Sequence, residues 1–189
     1  MLAFTAGCTM IDDEVPYCNP DDQNWSWYQR QGTMHIDLER RLVYGDDTTS
    51  GIYPLAHGDF AGFEGEFPLL VFSDSVDPSE IPDSIDVNDT VFRFSPVEGS
   101  FGDLWLITAK AREAGSEQES RHRSTVLYSI ADGVLLIGFT AFIGEEIYPV
   151  NYVPCGKRTL RYDDLRSFSD ANSQAAQGVE REPGAEPLS

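Results

Sequence analysis

The strongest indication of the fold is the sequence Thr125-Val126-Leu127-Tyr128-Ser129-Ile130-Ala131-Asp132-Gly133-Val134-Leu135-Leu136-Ile137-Gly138-Phe139. In it, two apolar runs flank the dipeptide Asp132-Gly133. Such a dipeptide predicts a β-hairpin, because a type I′ turn requires positive φ at both central residues. The second run is apolar on both faces, which is typical of a strand that is covered on both sides. The stretch therefore predicts an antiparallel hairpin whose second strand lies inside a sheet.

Further short strand patterns, separated by turn residues, surround this hairpin. Residues 34–44 alternate between apolar and polar at their start and predict a first strand, whereas residues 45–66 are rich in Gly, Asp and Thr and predict a long connection. The remaining strand patterns are residues 68–72, 90–95, 104–111 and 157–162. We expect an all-β, mainly antiparallel fold with little helix, either a single-domain sandwich, a strongly curved sheet or a partly open barrel.

The charge of the chain is strongly one-sided. It has 32 acidic and 13 basic residues in 189, and therefore a net charge of −19. Nucleic-acid backbones attract basic surfaces, so nucleic acid is not an expected partner. The excess of acid indicates a soluble domain or a saline habitat, and the alternative is that some of the acids bind a cation. The longest apolar run, residues 133–144, is shorter than the roughly 20 residues that a bilayer requires.

The beginning of the chain, Leu2-Ala3-Phe4-Thr5-Ala6-Gly7-Cys8, resembles the end of a bacterial lipoprotein signal peptide. In that family, small residues precede one cysteine that is lipidated and becomes the new N-terminus. The resemblance implies an acylated Cys8, and Thr9 after it, instead of Asp, implies an outer-membrane address facing the periplasm. The apolar part of a signal peptide takes about 7–15 residues. We therefore expect the rest of the signal to lie upstream of Met1.

This resemblance also implies how the chain is divided. Residues 1–16 are expected to be a truncated signal-peptide remnant followed by an acidic tether, and residues 17–166 a β-rich globular domain. Residues 167–189 contain almost nothing to bury and predict a disordered tail. If Cys8 carries lipid, Cys18 and Cys155 remain as a candidate disulfide, which requires an oxidising compartment. The alternative is two buried free thiols.

The best candidate for chemistry is the segment from His57 to Glu66. In an extended chain His57 and Asp59 point the same way, as do Glu64 and Glu66, so the four side chains together offer metal ligands or acid–base groups. The alternative is a flexible surface connection with ordinary solvated charges. No single metal is indicated by this set.

Two further segments are candidates for binding. Residues 74–89 contain many acids and suggest a calcium loop, because hard cations take several oxygen ligands. The ordered Asp-x-Asp-x-Asp-Gly pattern is absent, however, and a solvated acidic loop is the alternative. Trp25 and Trp27 stand on alternate positions and suggest a platform for a sugar or a peptide. Packing over a sheet end or beside a disulfide is the alternative for these tryptophans.

The sequence therefore predicts an exported lipoprotein with a binding or envelope-structural role. Its expected partners are the membrane, through the lipid anchor, and a small molecule, glycan or protein. The motifs of common hydrolases, zinc proteases and nucleotide-binding enzymes are absent, and no catalytic residue or cofactor is assigned. The alternative functions are a hydrolase or a cation-dependent module that uses residues 57–66 or the acidic segment 74–89.

Overall fold

The structure, a computed structural model, describes residues 14–19, 33–45, 48–64, 68–100, 102–112, 119–143 and 146–166. These residues form two antiparallel sheets. The large sheet has ten strands, in the spatial order β4 (Thr48–Gly51), β3 (Leu42–Gly45), β2 (Thr33–Asp37), β1 (Glu14–Cys18), β13 (Glu146–Pro154), β12 (Gly133–Ile143), β11 (Glu119–Ser129), β10 (Leu104–Arg112), β9 (Thr90–Pro96) and β8 (Ser84–Val87). The small sheet has three, β5 (Tyr53–His57), β6 (Phe60–Glu64) and β7 (Leu69–Phe72).

The prediction of an all-β, antiparallel fold with little helix is confirmed. The large sheet begins and ends on different strands, β4 and β8, so it does not close into a barrel. Helical structure within the described residues amounts to a 3-10 turn at Pro78–Glu80 and one helical turn at residues 162–166. The strands predicted at residues 68–72, 90–95 and 104–111 correspond to β7, β9 and β10.

The predicted hairpin is present as β11 and β12, with Ser129 paired to Gly133. Its predicted turn type is wrong, because Gly133 has a φ of 85° and Asp132 is not among the residues with positive φ. The loop holds three residues, and the backbone nitrogen of Asp132 donates to Ser129 Oγ at 3.0 Å. This hydrogen bond stabilises the turn without a second positive φ.

Positive φ at two adjacent residues occurs instead between β8 and β9. Asn88 and Asp89 have φ angles of 49° and 59°, and they join Val87 to Thr90 in a two-residue hairpin loop. Asn and Asp tolerate this conformation because their short side chains can hydrogen-bond locally. The sequence pattern did not predict this hairpin, because the Asn88-Asp89 dipeptide lies in the acidic segment 74–89.

Three other expectations are corrected by the structure. Residues 34–44 form two strands, β2 and β3, because the chain turns at residues 38–41, where Arg40 N donates to Asp37 Oδ1 at 2.7 Å. Residues 45–66 are not a loop, since they contain β4, β5 and β6. Residues 157–162, predicted as a strand, form none: Leu160 is fully buried, and its carbonyl accepts from Val134 N at 2.8 Å.

An aromatic core joins the two sheets. Phe72 of β7 packs edge-on against Trp105 and Tyr128, with ring centroids 5.4 and 5.1 Å apart, and against Phe94 at 6.1 Å. The small sheet therefore covers one face of β9, β10 and β11, which we call the inner face of the large sheet. Along the strands, inner-face residues alternate with residues on the opposite, outer face.

Two buried tyrosines fasten this core. Tyr128 donates to the carbonyl of Phe72 at 2.9 Å and so ties the large sheet to the small one. Tyr17 donates to the carbonyl of Val134 at 3.0 Å and accepts from Leu160 N at 3.1 Å. Burial raises the pKa of Tyr128 to about 12, and burial raises the pKa of Tyr17 even more.

These shifts predict that the protein loses stability at alkaline pH. The unfolded tyrosines ionise near pH 10.0, while the folded ones keep their protons, so the unfolded state binds fewer protons as the pH rises. The stabilisation is fully present below pH 10.0 and is lost as the pH rises through about 12. Urea midpoints measured from pH 8 to pH 11 should fall, and they should fall less steeply in Tyr128→Phe. Equal slopes for wild type and variant would contradict this assignment.

Candidate functional site

Cys18 and Cys155 form a disulfide, with Cα atoms 5.3 Å apart and a sequence separation of 137. Cys18 ends β1, and Cys155 follows β13 directly. Cys155 is exposed, so the bond lies at the protein surface. The structure therefore pairs the two cysteines that the sequence left as a candidate disulfide.

The disulfide lies at the junction between two parts of the large sheet. The junction of β1 with β13 has two register pairs in the described residues, Tyr17 with Pro154 and Cys18 with Val153. Elsewhere the ladders are longer, with seven pairs between β12 and β13. The nitrogen of Cys155 also donates to the carbonyl of Pro16 at 3.2 Å. The covalent bond thus reinforces a short ladder that holds β1–β4 onto the rest of the sheet.

A cluster of three polar side chains, Glu14, His35 and Tyr44, involves the end of β1 opposite the disulfide. Pairing of β1 with β2 and of β2 with β3 brings these residues to one face of the sheet. Glu14 Oε1 contacts His35 Nδ1, and Tyr44 Oη donates to the same carboxylate oxygen at 2.9 Å. The His35 and Tyr44 rings stack with centroids 4.9 Å apart and an angle of 8° between planes.

This cluster fixes the orientation of the imidazole. His35 Nδ1 is buried against the Glu14 carboxylate without forming a hydrogen bond to it, and stacking on Tyr44 also restricts the ring. The hydrogen bond to Glu14 raises the pKa of the Tyr44 hydroxyl, which stays protonated as a donor. The His35 and Glu14 side chains are 30% and 38% exposed, so the cluster is open to solvent. It offers an oriented imidazole and a carboxylate to a ligand.

His35 was not among the candidate residues chosen from the sequence. It lies in the alternating start of residues 34–44, and its neighbours Met34 and Ile36 are buried. Its partner Glu14 lies within residues 1–16, which the sequence analysis assigned to the tether, although β1 begins at this residue. The cluster depends on strand order, for which a single sequence holds no signal.

The predicted site at residues 57–66 lies on the β5–β6 hairpin. His57 ends β5 opposite Phe60, and Asp59 lies in the turn. Glu64 pairs with Tyr53 at the other end of the hairpin. Four residues of strand separate His57 from Tyr53, a distance of about 13 Å. The structure therefore brings His57 near Asp59 but not near Glu64.

Other contacts agree with this separation. His57 and Asp59 are exposed, whereas Glu64 Oε2 accepts a hydrogen bond from Asn88 Nδ2 at 2.9 Å. Glu66 lies outside the described residues, as do Trp25, Trp27 and Cys8, and their predicted roles stay predictions. In the described part of the chain, no group of three His, Cys, Asp or Glu side chains is arranged to hold a metal ion.

The acidic segment 74–89 contains the 3-10 turn, β8 and the two-residue loop after β8, and its acidic residues are exposed. Asp77 caps the 3-10 turn: its Oδ1 accepts from Ser79 N at 2.9 Å and from Ser79 Oγ at 2.7 Å. These hydrogen bonds lower the pKa of Asp77. Its carboxylate therefore has a structural role, and the remaining acids of the segment lie along the turn and the strand.

Comparisons with known proteins add no relative to this description. No family model, curated protein or solved structure matches the chain. Within the described residues, no helix has both the length and the apolar character needed to cross a membrane.

Proposed function

We propose that this protein is an exported, lipid-anchored β domain of the bacterial envelope, with a binding or structural role and not a catalytic one. The observation that supports this proposal most strongly is the disulfide between Cys18 and Cys155. Disulfides form and persist in oxidising compartments such as the periplasm and are rare in the cytosol. An exposed disulfide is expected to survive only where the surroundings do not reduce it.

The cysteine count supports the anchor. The chain has three cysteines, and pairing of Cys18 with Cys155 leaves Cys8 as the single remaining thiol. Cys8 is also the residue at which the lipoprotein resemblance places the acyl group. One acyl chain binds a membrane only marginally, whereas two or more signals anchor stably. The several chains of a lipoprotein would therefore hold this domain at the membrane.

A binding role agrees better with the geometry than catalysis does. His57 and Glu64 lie at opposite ends of their hairpin, so residues 57–66 do not gather into one catalytic group in the described structure. The cluster of Glu14, His35 and Tyr44 is oriented and open to solvent. A ligand with a hydrogen-bond donor for the carboxylate or the imidazole fits this surface.

Fatty-acid labelling tests the anchor. The gene is expressed in its native host with its natural upstream sequence, and cells are fed a labelled fatty acid. The label should appear in the wild-type protein and be lost in Cys8→Ser, while the matched variant Cys18→Ser, which keeps Cys8, should retain it. Wild-type protein that carries no label and partitions into the aqueous phase of a detergent extraction would overturn the lipid anchor.

A further inference from the structure

The two cysteines of the disulfide have different surroundings. Cys18 is in β1 and pairs directly with Thr33 of β2 and with Val153 of β13, so a strand flanks it on each side. Cys155 lies beyond the end of β13 and is exposed, whereas Cys18 is half-buried. Thiol–disulfide exchange depends on which sulfur an incoming thiolate can reach. Exposure therefore favours attack at Cys155, with Cys18 as the leaving group.

A hydroxyl group contacts the sulfur of Cys18. Thr33 Oγ1 lies 3.7 Å from Cys18 Sγ, within hydrogen-bonding range for sulfur. A disulfide sulfur carries no hydrogen, so the threonine hydroxyl is the donor in this contact and the sulfur is the acceptor. Hydrogen bonds to charged groups are stronger than those between neutral groups. When Cys18 leaves as a thiolate, the same hydroxyl donates to an anion and lowers the free energy of the leaving group.

Two further contacts hold Cys155 beside β1 independently of the sulfur–sulfur bond. Cys155 N donates to the carbonyl of Pro16 at 3.2 Å. The next residue, Gly156, packs against the same proline, since a Cβ at Gly156 would lie 3.0 Å from Pro16 Cγ. Neither contact involves a sulfur atom. The two cysteines therefore remain neighbours when the disulfide is open, and this proximity favours its closure.

We propose that the disulfide is a reversible exchange site, at which a low-molecular-weight thiol becomes attached to Cys155. The incoming thiolate forms a bond to Cys155 Sγ, and the electron pair of the broken sulfur–sulfur bond leaves on Cys18 Sγ, beside the Thr33 hydroxyl. The Cys18 thiolate then takes a proton from water. The incoming thiol is oxidised as Cys18 is reduced, so no further oxidant or reductant is required. In the reverse step Cys18 attacks the mixed disulfide at Cys155 and expels the added thiol.

The exchange changes how firmly β1–β4 are held to the rest of the large sheet. Exposed disulfides are in general the labile and regulatory ones. In the open form, the junction of β1 with β13 keeps its two described register pairs but loses its covalent bond. A small thiol in excess shifts the site toward the mixed disulfide, and removal of the thiol restores the native bond. The proposal does not depend on the lipid anchor.

Trapping of the mixed disulfide tests which sulfur is attacked. The oxidised full-length protein is treated with iodoacetamide, which blocks any free thiol, and the reagent is removed. The protein is then mixed with 2-mercaptoethanol, quenched with excess N-ethylmaleimide and digested for mass spectrometry. Mercaptoethanol should be attached to Cys155 and the maleimide to Cys18, with the reverse assignment a minor product. Equal amounts of the two assignments, an adduct mainly on Cys18, or no mixed disulfide at any thiol concentration would overturn the proposal.

Substitution of Thr33 tests the stabilised leaving group. Thr33→Val keeps the shape of the side chain but removes the donor, so exchange at Cys155 should slow by about tenfold, the order expected for one hydrogen bond to a charged group. Thr33→Ser keeps the hydroxyl and should exchange at the wild-type rate. So should the matched control Thr108→Val in β10, which is remote from β1 in the strand order. Thermal melts check that each variant is folded with its disulfide closed, and Thr33→Ala replaces Thr33→Val if the latter does not fold. A wild-type rate without the hydroxyl would contradict the proposal.

Discussion

Replacing both Cys18 and Cys155 with alanine will lower the free energy of unfolding by about 3–5 kcal/mol. The disulfide closes a loop that spans 137 positions, so it removes much of the conformational freedom of the unfolded chain. It also reinforces the junction of β1 with β13, which has two register pairs in the described residues. Urea unfolding of the oxidised wild type and of the double variant measures the difference.

The matched control is Cys8→Ala, since this residue takes no part in the disulfide. Its urea midpoint should equal that of the wild type, and the midpoint of the reduced wild type should approach that of the double variant. Tyr17 and Val15 are fully buried, so part of the attachment of β1 does not depend on the disulfide. A double variant as stable as the oxidised wild type would show that core packing alone holds the junction.

Gly62→Ala will destabilise the protein by about 3 kcal/mol or more, at or beyond the upper end of ordinary overpacking. Gly62 lies in β6 and pairs with Leu70 of β7. A Cβ at this position would lie 2.9 Å from the carbonyl carbon of Leu69 and 2.9 Å from the Cα of Leu70. Both are backbone atoms, so no side-chain rotation relieves the collision. We expect β6 and β7 to separate and the aromatic contacts of Phe72 to weaken.

Gly58→Ala in the same hairpin is the control for this prediction. Gly58 has a φ of 59°, but a Cβ there meets nothing within 4 Å. Its substitution should cost only the conformational penalty of the left-handed region, about 1–2 kcal/mol. Thermal melts of both variants measure the loss of stability, and near-ultraviolet circular dichroism measures the change in aromatic packing. If Gly62→Ala lowers the stability no more than Gly58→Ala does, β6 and β7 are not in close contact at Gly62.

The parts of the fold that the sequence predicted well are those with unbroken apolar patterns. Residues 90–95 were predicted as a strand, and they form β9, in which Phe92 and Phe94 are both buried on one face. The apolar run before Asp132-Gly133 and the run after it identified the central hairpin. In these segments local sequence and burial agree, so a single sequence is sufficient.

The parts that the sequence did not predict depend on contacts with distant residues. Residues 45–66 have the composition of a loop, yet Leu55, Ala61 and Phe63 are buried because β5–β7 form a sheet of their own. Residues 157–162 were predicted as a strand, but Leu160 enters the core, and its backbone is hydrogen-bonded to Tyr17 Oη and to Val134 N. The two cysteines were paired correctly because the chain contains few of them.

The candidate site, too, depends on contacts between residues that are distant in sequence. The histidine chosen from the sequence, His57, lies at an exposed hairpin tip, while His35 belongs to the ordered cluster with Glu14 and Tyr44. That cluster requires the order β1–β2–β3 in the sheet. The spacing of glycines and acidic residues within one segment cannot predict this strand order, because the order arises from pairing between separate strands.

We propose that this chain resides in an oxidising compartment, where Cys18 stays bonded to Cys155. The decisive experiment is mass spectrometry of protein taken from its native cells and alkylated during lysis without reductant. We expect no alkylation at Cys18 or Cys155 and a peptide pair that separates only after reduction. Alkylation of both residues in folded, unreduced protein would contradict the claim and remove the main support for an exported domain.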